Sequence, residues 1–99
     1  MAAQKAVPGT GGESAVYFTR DLSAAGLVNI CGRIQSALEG RVAVKLHTGE
    51  KNGPNIIPRD WVQALMADRL PNGTIIETNS YYAGDRDTTE KHRETLRVN

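Results

Sequence analysis

The residues best suited to chemistry lie in residues 42–50, where an apolar run passes directly into polar side chains. His47 and Glu50 follow that run. An imidazole can act as an acid or base, and a nearby carboxylate can fix which ring nitrogen carries the proton. We therefore name His47 and Glu50 as candidate catalytic residues. These residue types alone define no reaction or substrate.

A metal ion is a second use for the same histidine. His47, together with His92 near the start of the last predicted helix, could supply two imidazole ligands. The chain has no HExxH motif, paired cysteines or ladder of carboxylates to support such a site. The alternatives are a hydrogen-bonded loop histidine at position 47 and a solvated helix histidine at position 92, between Lys91 and Arg93.

A small anion is the third candidate ligand. Lys45, Arg20 and Arg86 could hold a carboxylate or phosphate, helped by backbone N–H groups around Gly49. The chain contains no GxxxxGK pattern, which argues against a loop that hydrolyses nucleotides. The candidate ligand-binding residues are Lys45, Thr48, Gly49, Asn79, Tyr82 and Arg86. For Tyr82 and its neighbour Tyr81, ordinary packing remains the alternative to a ligand wall.

The elements that must position these residues alternate between strand and helix. Short β-branched or apolar runs predict strands at residues 15–19, 41–46 and 74–77. A stripe at helical spacing predicts a helix that starts near Asp21 or Ser23 and ends at Gly40, with Cys31 as a small buried apolar residue. Further helices are predicted from Pro58 to residue 70 and over residues 88–98, the last with a capping box formed by Asp87 and Glu90.

This order predicts an α/β fold of the βαβαβα type. It would be a three-layer arrangement around a parallel sheet, equivalent to half of a Rossmann-like domain. The carboxyl ends of parallel strands meet at one edge, where ligands bind in such sheets. The polar clusters that follow the three strands are therefore expected to converge. These clusters are residues 20–21, 47–50 and 77–79.

Three strands make an incomplete parallel sheet. Both faces of such sheets are normally covered, and the last helix has few apolar residues with which to cover one. We expect the remainder of a longer chain, or a second copy in a homo-oligomer, to complete the sheet.

Composition limits the classes of partner. The 99 residues suffice for one small domain, predicted over residues 15–99 after a flexible leader at residues 1–14. A net charge of +1 gives no electrostatic reason to expect nucleic acid. No apolar run is long enough to span a membrane, and no signal peptide precedes the first strand, so a cytoplasmic location is expected. Cys31 is the single cysteine, which excludes a disulfide within the chain.

Several separated motifs resemble one known family. They are KLHTGE at residues 45–50, the segment Glu77, Thr78 and Asn79, and further along the chain Tyr82, Gly84, Arg86, Thr88, Thr89 and His92. Over residues 16–99 the chain resembles the amino-terminal part of the uncharacterised iron–sulfur-centre proteins, known as the domain of unknown function 362. The resemblance implies a longer protein and a ferredoxin-type cluster whose cysteine ligands are not in this chain. Ala83 and Asp85 depart from the family pattern, where a glycine and a basic residue are expected.

Three hypotheses stay open at this point. The chain is a portion of an iron–sulfur-type protein with a metal or small-anion site at the sheet edge, or an enzyme of unknown reaction that uses His47. Otherwise it is a non-catalytic scaffold or oligomerising fragment in which the glycines serve only loop geometry.

Overall fold

The computed structural model describes residue 12 and residues 14–53 and 55–99. Within these residues helices and strands are mixed. Their order is α1 (Ala24–Cys31), β1 (Ala43–Lys45), α2 (Arg59–Arg69), β2 (Thr74–Ile76) and α3 (Thr89–Val98), with a short 3-10 helix at Gln35–Ala37. The chain divides into two compact units, described separately below. The first comprises residues 1–42 and 59–72, and the second comprises residues 43–58 and 73–99. The predicted leader lies almost wholly outside the described residues.

Helix α1 begins where the sequence predicts and ends earlier. The Ser23 hydroxyl accepts a hydrogen bond from Gly26 N at 3.1 Å and donates one to Asp21 Oδ1 at 2.7 Å, so Ser23 is the N-cap. The predicted end at Gly40 is wrong, because α1 stops at Cys31. Gly32 is a poor helix former, and beyond it Arg33 N bonds to Ile30 O in the tighter spacing that closes a helix.

In the first unit α1 packs against α2, which is confirmed within one residue of its predicted end. Trp61, Val62 and Leu65 are half-buried along α2, and Leu70 just beyond it is buried. Cys31 is also half-buried and shares an apolar groove with Leu27 and Leu65, as expected for a small apolar side chain. The unit therefore has a thin core.

The second unit contains the sheet. Strands β1 and β2 run parallel, with Ala43 opposite Thr74 and Lys45 opposite Ile76, and Leu46 N continues the ladder to Ile76 O at 3.1 Å. In the described residues the full βαβαβα pattern is not seen. The predicted first strand is reduced to a single β-bridge residue, Phe18, in a segment whose side chains are mostly exposed. A β-branched and aromatic run is a strand signal only when a partner strand pairs with it along its length.

Strand β2 exposes apolar side chains on both faces. Ile75 and Ile76 are 42% and 46% exposed, and adjacent strand residues point to opposite sides of a sheet. Parallel strands are usually covered on both faces. The sheet as described thus retains apolar surface that ordinary parallel sheets bury.

Helix α3 is confirmed, with its cap shifted by one residue. Thr88, not Asp87, is the N-cap, and its hydroxyl accepts from Lys91 N at 3.3 Å. Asp87 instead pairs with Lys91 Nζ at 2.8 Å. Among the described residues, no helix is long and apolar enough to cross a membrane.

Candidate functional site

The carboxyl ends of the two paired strands bring a lysine and a glutamate together. Lys45 ends β1 and Glu77 follows β2, and the parallel register places them side by side. Lys45 Nζ donates to Glu77 Oε2. The Glu77 side chain is only 9% exposed, whereas that of Lys45 is 55% exposed. The carboxylate is therefore sheltered while the ammonium still meets water.

A buried guanidinium connects this pair to the loop after β1. Arg86 Nη1 lies 3.4 Å from Glu77 Oε1, and Arg86 Nη2 donates to Glu50 Oε1. The hydroxyl of Tyr82 lies 3.2 Å from both Glu50 Oε1 and Arg86 Nη2. Because the Arg86 side chain is only 8% exposed, its positive charge is stabilised by these two carboxylates instead of by water.

The ion pairs shift the pKa values of Glu50, Glu77 and Arg86. Hydrogen bonding from Arg86 is the largest influence on Glu50 and lowers its pKa below the ordinary 4.5, with Tyr82 contributing in the same direction. Burial is the largest single influence on Glu77 and raises its pKa, but Lys45, His47 and Arg86 together outweigh it, so the net pKa falls below 4.5. Glu50 in turn raises the pKa of Arg86.

His47 has a different carboxylate neighbour from the one that its spacing predicts. His47 Nδ1 lies 3.8 Å from Glu77 Oε1, and the imidazole is 53% exposed. Glu50 is held by Arg86 instead. An acid–base pair at this edge would thus be His47 with Glu77, and the catalytic use of His47 and Glu50 stays a prediction.

His92 is buried and bonded through both ring nitrogens. Nδ1 lies 3.0 Å from Asn79 Oδ1, and Nε2 lies 3.3 Å from Thr48 Oγ1. With its proton on Nδ1, the ring donates to Asn79 and accepts from the Thr48 hydroxyl. The alternative of a solvated helix residue is therefore wrong. A metal at His92 would have to replace one of these bonds, and within the described ranges no three His, Cys, Asp or Glu side chains are grouped to hold a metal.

Two further polar residues bind the same loops and were not predicted from the sequence: Thr95 in α3 and its C-cap, Asn99. The fully buried Thr95 donates to Asp85 O at 2.7 Å. Asn99 donates to Thr48 O at 3.0 Å and Glu50 O at 2.9 Å, and accepts from Asn52 N at 2.9 Å. The signal that could have found them is the helical spacing from His92 to Thr95 and Asn99, which places all three on one face.

Gly49 is required by geometry at this position. Its φ is +88°, a conformation that side chains rarely adopt, and a Cβ there would collide with Ile56. Backbone conformation and packing therefore explain the glycine without a ligand, and its role in ligand binding stays a prediction.

The predicted ligand-binding residues separate into two groups. Lys45, Tyr82 and Arg86 meet around Glu50 and Glu77, whereas Thr48 and Asn79 hold His92. Glu77, the carboxylate that lies next to Lys45, Arg86 and His47, is predicted from the sequence only as part of the polar cluster at residues 77–79. Tyr81 is fully exposed and beside it Tyr82 is partly exposed. Arg20 and Asp21 belong to the other unit, so their convergence with this edge stays a prediction.

The second unit is thus a parallel strand pair whose carboxyl ends carry a cation–carboxylate cluster braced by a helix. Comparisons of this chain with protein-family models, curated proteins and solved structures give no match.

Proposed function

We propose that the strand-end cluster binds a small anionic ligand, with Lys45 and His47 as the groups that contact it. This cluster is formed by Lys45, His47, Glu50, Glu77, Tyr82 and Arg86. The observation that carries this proposal is the contrast in exposure within one cluster. The Lys45 ammonium and the His47 ring are more than half exposed, while Glu77 beneath them is almost fully covered. Hydrogen-bond donors that are positioned by a buried carboxylate and exposed to solvent suit the recognition of a ligand's carboxylate or phosphate group.

The charges at this edge support an anion over a metal cation. Lys45 and Arg86 balance the charges of Glu50 and Glu77, so the cluster carries no excess negative charge that would attract a metal ion. Both carboxylates are already engaged by cations, which a metal ion would have to displace. Arg86 itself holds Glu77 through Nη1 and Glu50 through Nη2, and therefore has a positioning role.

We also propose that the chain is the amino-terminal α/β portion of a larger protein of the iron–sulfur-centre type that it resembles. Support comes from the ordered motifs described above and from the apolar surface of β2. The residues present do not fit a cluster of their own, because ferredoxin-type clusters take four cysteine thiolates and this chain contains Cys31 alone. Any cluster ligands would come from further chain.

Titration of the protein with inorganic phosphate and with acetate at constant ionic strength tests the anion site. Saturable changes in amide resonances of residues 45–50 are expected, and Lys45→Gln and His47→Gln should each weaken binding about tenfold, the effect of losing one charge-assisted hydrogen bond. Lys51→Gln is the matched control, since Lys51 is exposed in the same loop. Equal binding by all variants would rule the site out, and binding of Zn²⁺ that depends on His47 would replace the anion with a metal.

Association through the sheet is a second candidate function, favoured by the two exposed faces of β2. A parallel strand with Ile75 and Ile76 both in water is expected to recruit a covering surface. We propose that a second copy of the chain, or the remainder of a longer chain, supplies it.

Light scattering after size exclusion tests this second function. The chain alone should elute as a dimer or larger, and Ile75→Thr with Ile76→Thr should shift it towards monomer. Leu22→Thr is the control, because Leu22 is an exposed apolar residue outside the sheet. A wild-type chain that remains monomeric at high concentration would contradict self-association.

A further inference from the structure

A second polar pocket lies in the first unit, where α1 and α2 both end. It has a volume of about 370 Å³ and is lined by Asn29, Gly32, Arg33 and Arg69. None of these residues belongs to the strand-end cluster. The lining contains two guanidinium groups and one side-chain amide, all of which donate hydrogen bonds.

Arg69 is held in a fixed position at this pocket. Its Nε donates to Val28 O at 3.0 Å in the last turn of α1, while Gln35 Nε2 donates to Arg69 O at 3.0 Å. Gly32 allows the close approach, since a Cβ at that position would lie 2.7 Å from Arg69 Nη2. The guanidinium is thus oriented through Nε, and its Nη groups donate to no other side chain or carbonyl among the described residues.

The balance of charge at the pocket is positive. In the described part of the chain, neither Arg33 nor Arg69 forms an ion pair with a carboxylate. The carbonyl ends of α1 and α2 each contribute roughly half a negative charge, which two full guanidinium charges outweigh. Hydrogen bonds offset part of this negative potential, because Val28 O accepts from Arg69 Nε and Arg69 O accepts from Gln35 Nε2.

We propose that this pocket binds a small oxyanion, the phosphate or carboxylate group of a small molecule. The Nη groups of Arg69 and the exposed guanidinium of Arg33 supply paired donors that match two oxygens of such a group, and the Asn29 amide supplies a third donor. The volume accommodates the oxyanion together with a small organic portion. This site is separate from the one under Proposed function and does not depend on it.

Nuclear magnetic resonance titration of the whole chain tests the proposal, with inorganic phosphate and acetate as probes and chloride as the ionic-strength reference. Phosphate or acetate should shift the Gly32 and Arg33 amides and the Arg69 Nε–H resonance along saturating curves. The anion that saturates identifies the group. Arg33→Gln should weaken binding at least about tenfold. Because Arg33 is exposed and makes no ion pair among the described residues, this variant is expected to fold normally.

Arg59→Gln is the matched control, since Arg59 is an exposed arginine at the opposite end of α2. It should bind as the unchanged protein does. Shifts that chloride reproduces, or binding that survives in Arg33→Gln, would overturn the proposal. Loss of binding in Arg59→Gln equal to that in Arg33→Gln would overturn it too, since it would mean a general charge effect.

Discussion

At the scale of single residues, Arg86 is the one buried Lys, Arg, Asp or Glu residue among those that the structure describes. Its buried guanidinium joins the loop after β1 to the end of β2 through ion pairs with Glu50 and Glu77. Removing one member of a buried ion pair leaves uncompensated charge, and such losses are large. The stability of the strand-end cluster should therefore depend more on Arg86 than on any exposed charge.

The variant Arg86→Ala should lower the free energy of unfolding by about 3 kcal/mol, near the lower limit for broken buried pairs because Glu77 keeps Lys45. Urea unfolding followed by circular dichroism measures the change. Arg93→Ala, an exposed arginine of α3, should change the free energy by less than about 0.5 kcal/mol. Equal losses in the two variants would show that the Arg86 ion pairs do not stabilise the fold.

The lowered pKa values of Glu50 and Glu77 predict a dependence of stability on pH. Carboxylates with a lowered pKa in the folded state stabilise it above their ordinary value, 4.5, and lose that contribution as the pH falls through the lowered value. The contribution of these two carboxylates to the free energy of unfolding should accordingly be present above pH 4.5 and decrease as the pH falls below it.

The pH dependence can be assigned by substitution. Glu77→Gln should reduce the fall below pH 4.5, because the amide does not titrate. Glu39→Gln, an exposed residue of the first unit, provides the comparison and should keep the wild-type slope. If both variants follow the wild-type curve, Glu77 is not a source of the acid sensitivity.

At the scale of elements, α3 braces the loops that follow β1 and β2. His92 bonds to Thr48 and Asn79 from one side of the helix, and Thr95 bonds to Asp85 from the next turn. A mostly charged helix thus finds its place through polar contacts. The stability of α3 should therefore depend on its N-cap at Thr88, because the helix has no large apolar face to pack against the rest of the unit.

Thr88→Ala should destabilise α3 by about 1 kcal/mol, the usual cost of losing an N-cap hydroxyl. Faster hydrogen exchange at the amides of residues 90–92 would reveal the loss. Thr88→Ser keeps the hydroxyl and should exchange nearly as slowly as the wild type. If Asp87→Ala speeds exchange more than Thr88→Ala does, the cap belongs at Asp87 after all.

Periodicity predicted α2, α3 and both paired strands because each has a local signal: Pro58 and a helical apolar stripe for α2, and short β-branched runs for β1 and β2. The end of α1 at Cys31 was not predicted. The apolar stripe continues at helical spacing beyond Gly32, and a single glycine within such a stripe does not by itself end a helix. The strand-end site was predicted from topology. Its ion-pair partners were not, because spacing along the chain cannot tell which carboxylate Arg86 reaches or which one neighbours His47.

At the scale of the whole molecule, few apolar side chains are buried. Among the described residues Leu70 is the one buried large hydrophobic, whereas Phe18, Ile75 and Ile76 are all well exposed. Burial of apolar surface is the main stabilising term in folding. The two units, each considered alone, should therefore be less stable than packed domains of their size.

Scanning calorimetry gives a test at this scale. A fully packed chain of this length should show a heat-capacity increase on unfolding of about 1.2–1.5 kcal/mol/K, and this chain alone should fall clearly below that range. The larger protein proposed above should show a higher value per residue. A full-sized increase for the chain alone would mean that it already buries an ordinary core, and the proposal of a covering partner would fail.

Because one guanidinium pairs with both Glu50 and Glu77, substitutions at positions 50, 77 and 86 are expected to depend on one another. Loss of Arg86 alone leaves Glu50 without its cation and Glu77 with Lys45 as its remaining cation, whereas its loss together with Glu50→Gln and Glu77→Gln also removes both negative charges. The triple replacement should thus be milder than Arg86→Ala by itself. Lineages in which one of these positions drifts are expected to show compensating change at the other two.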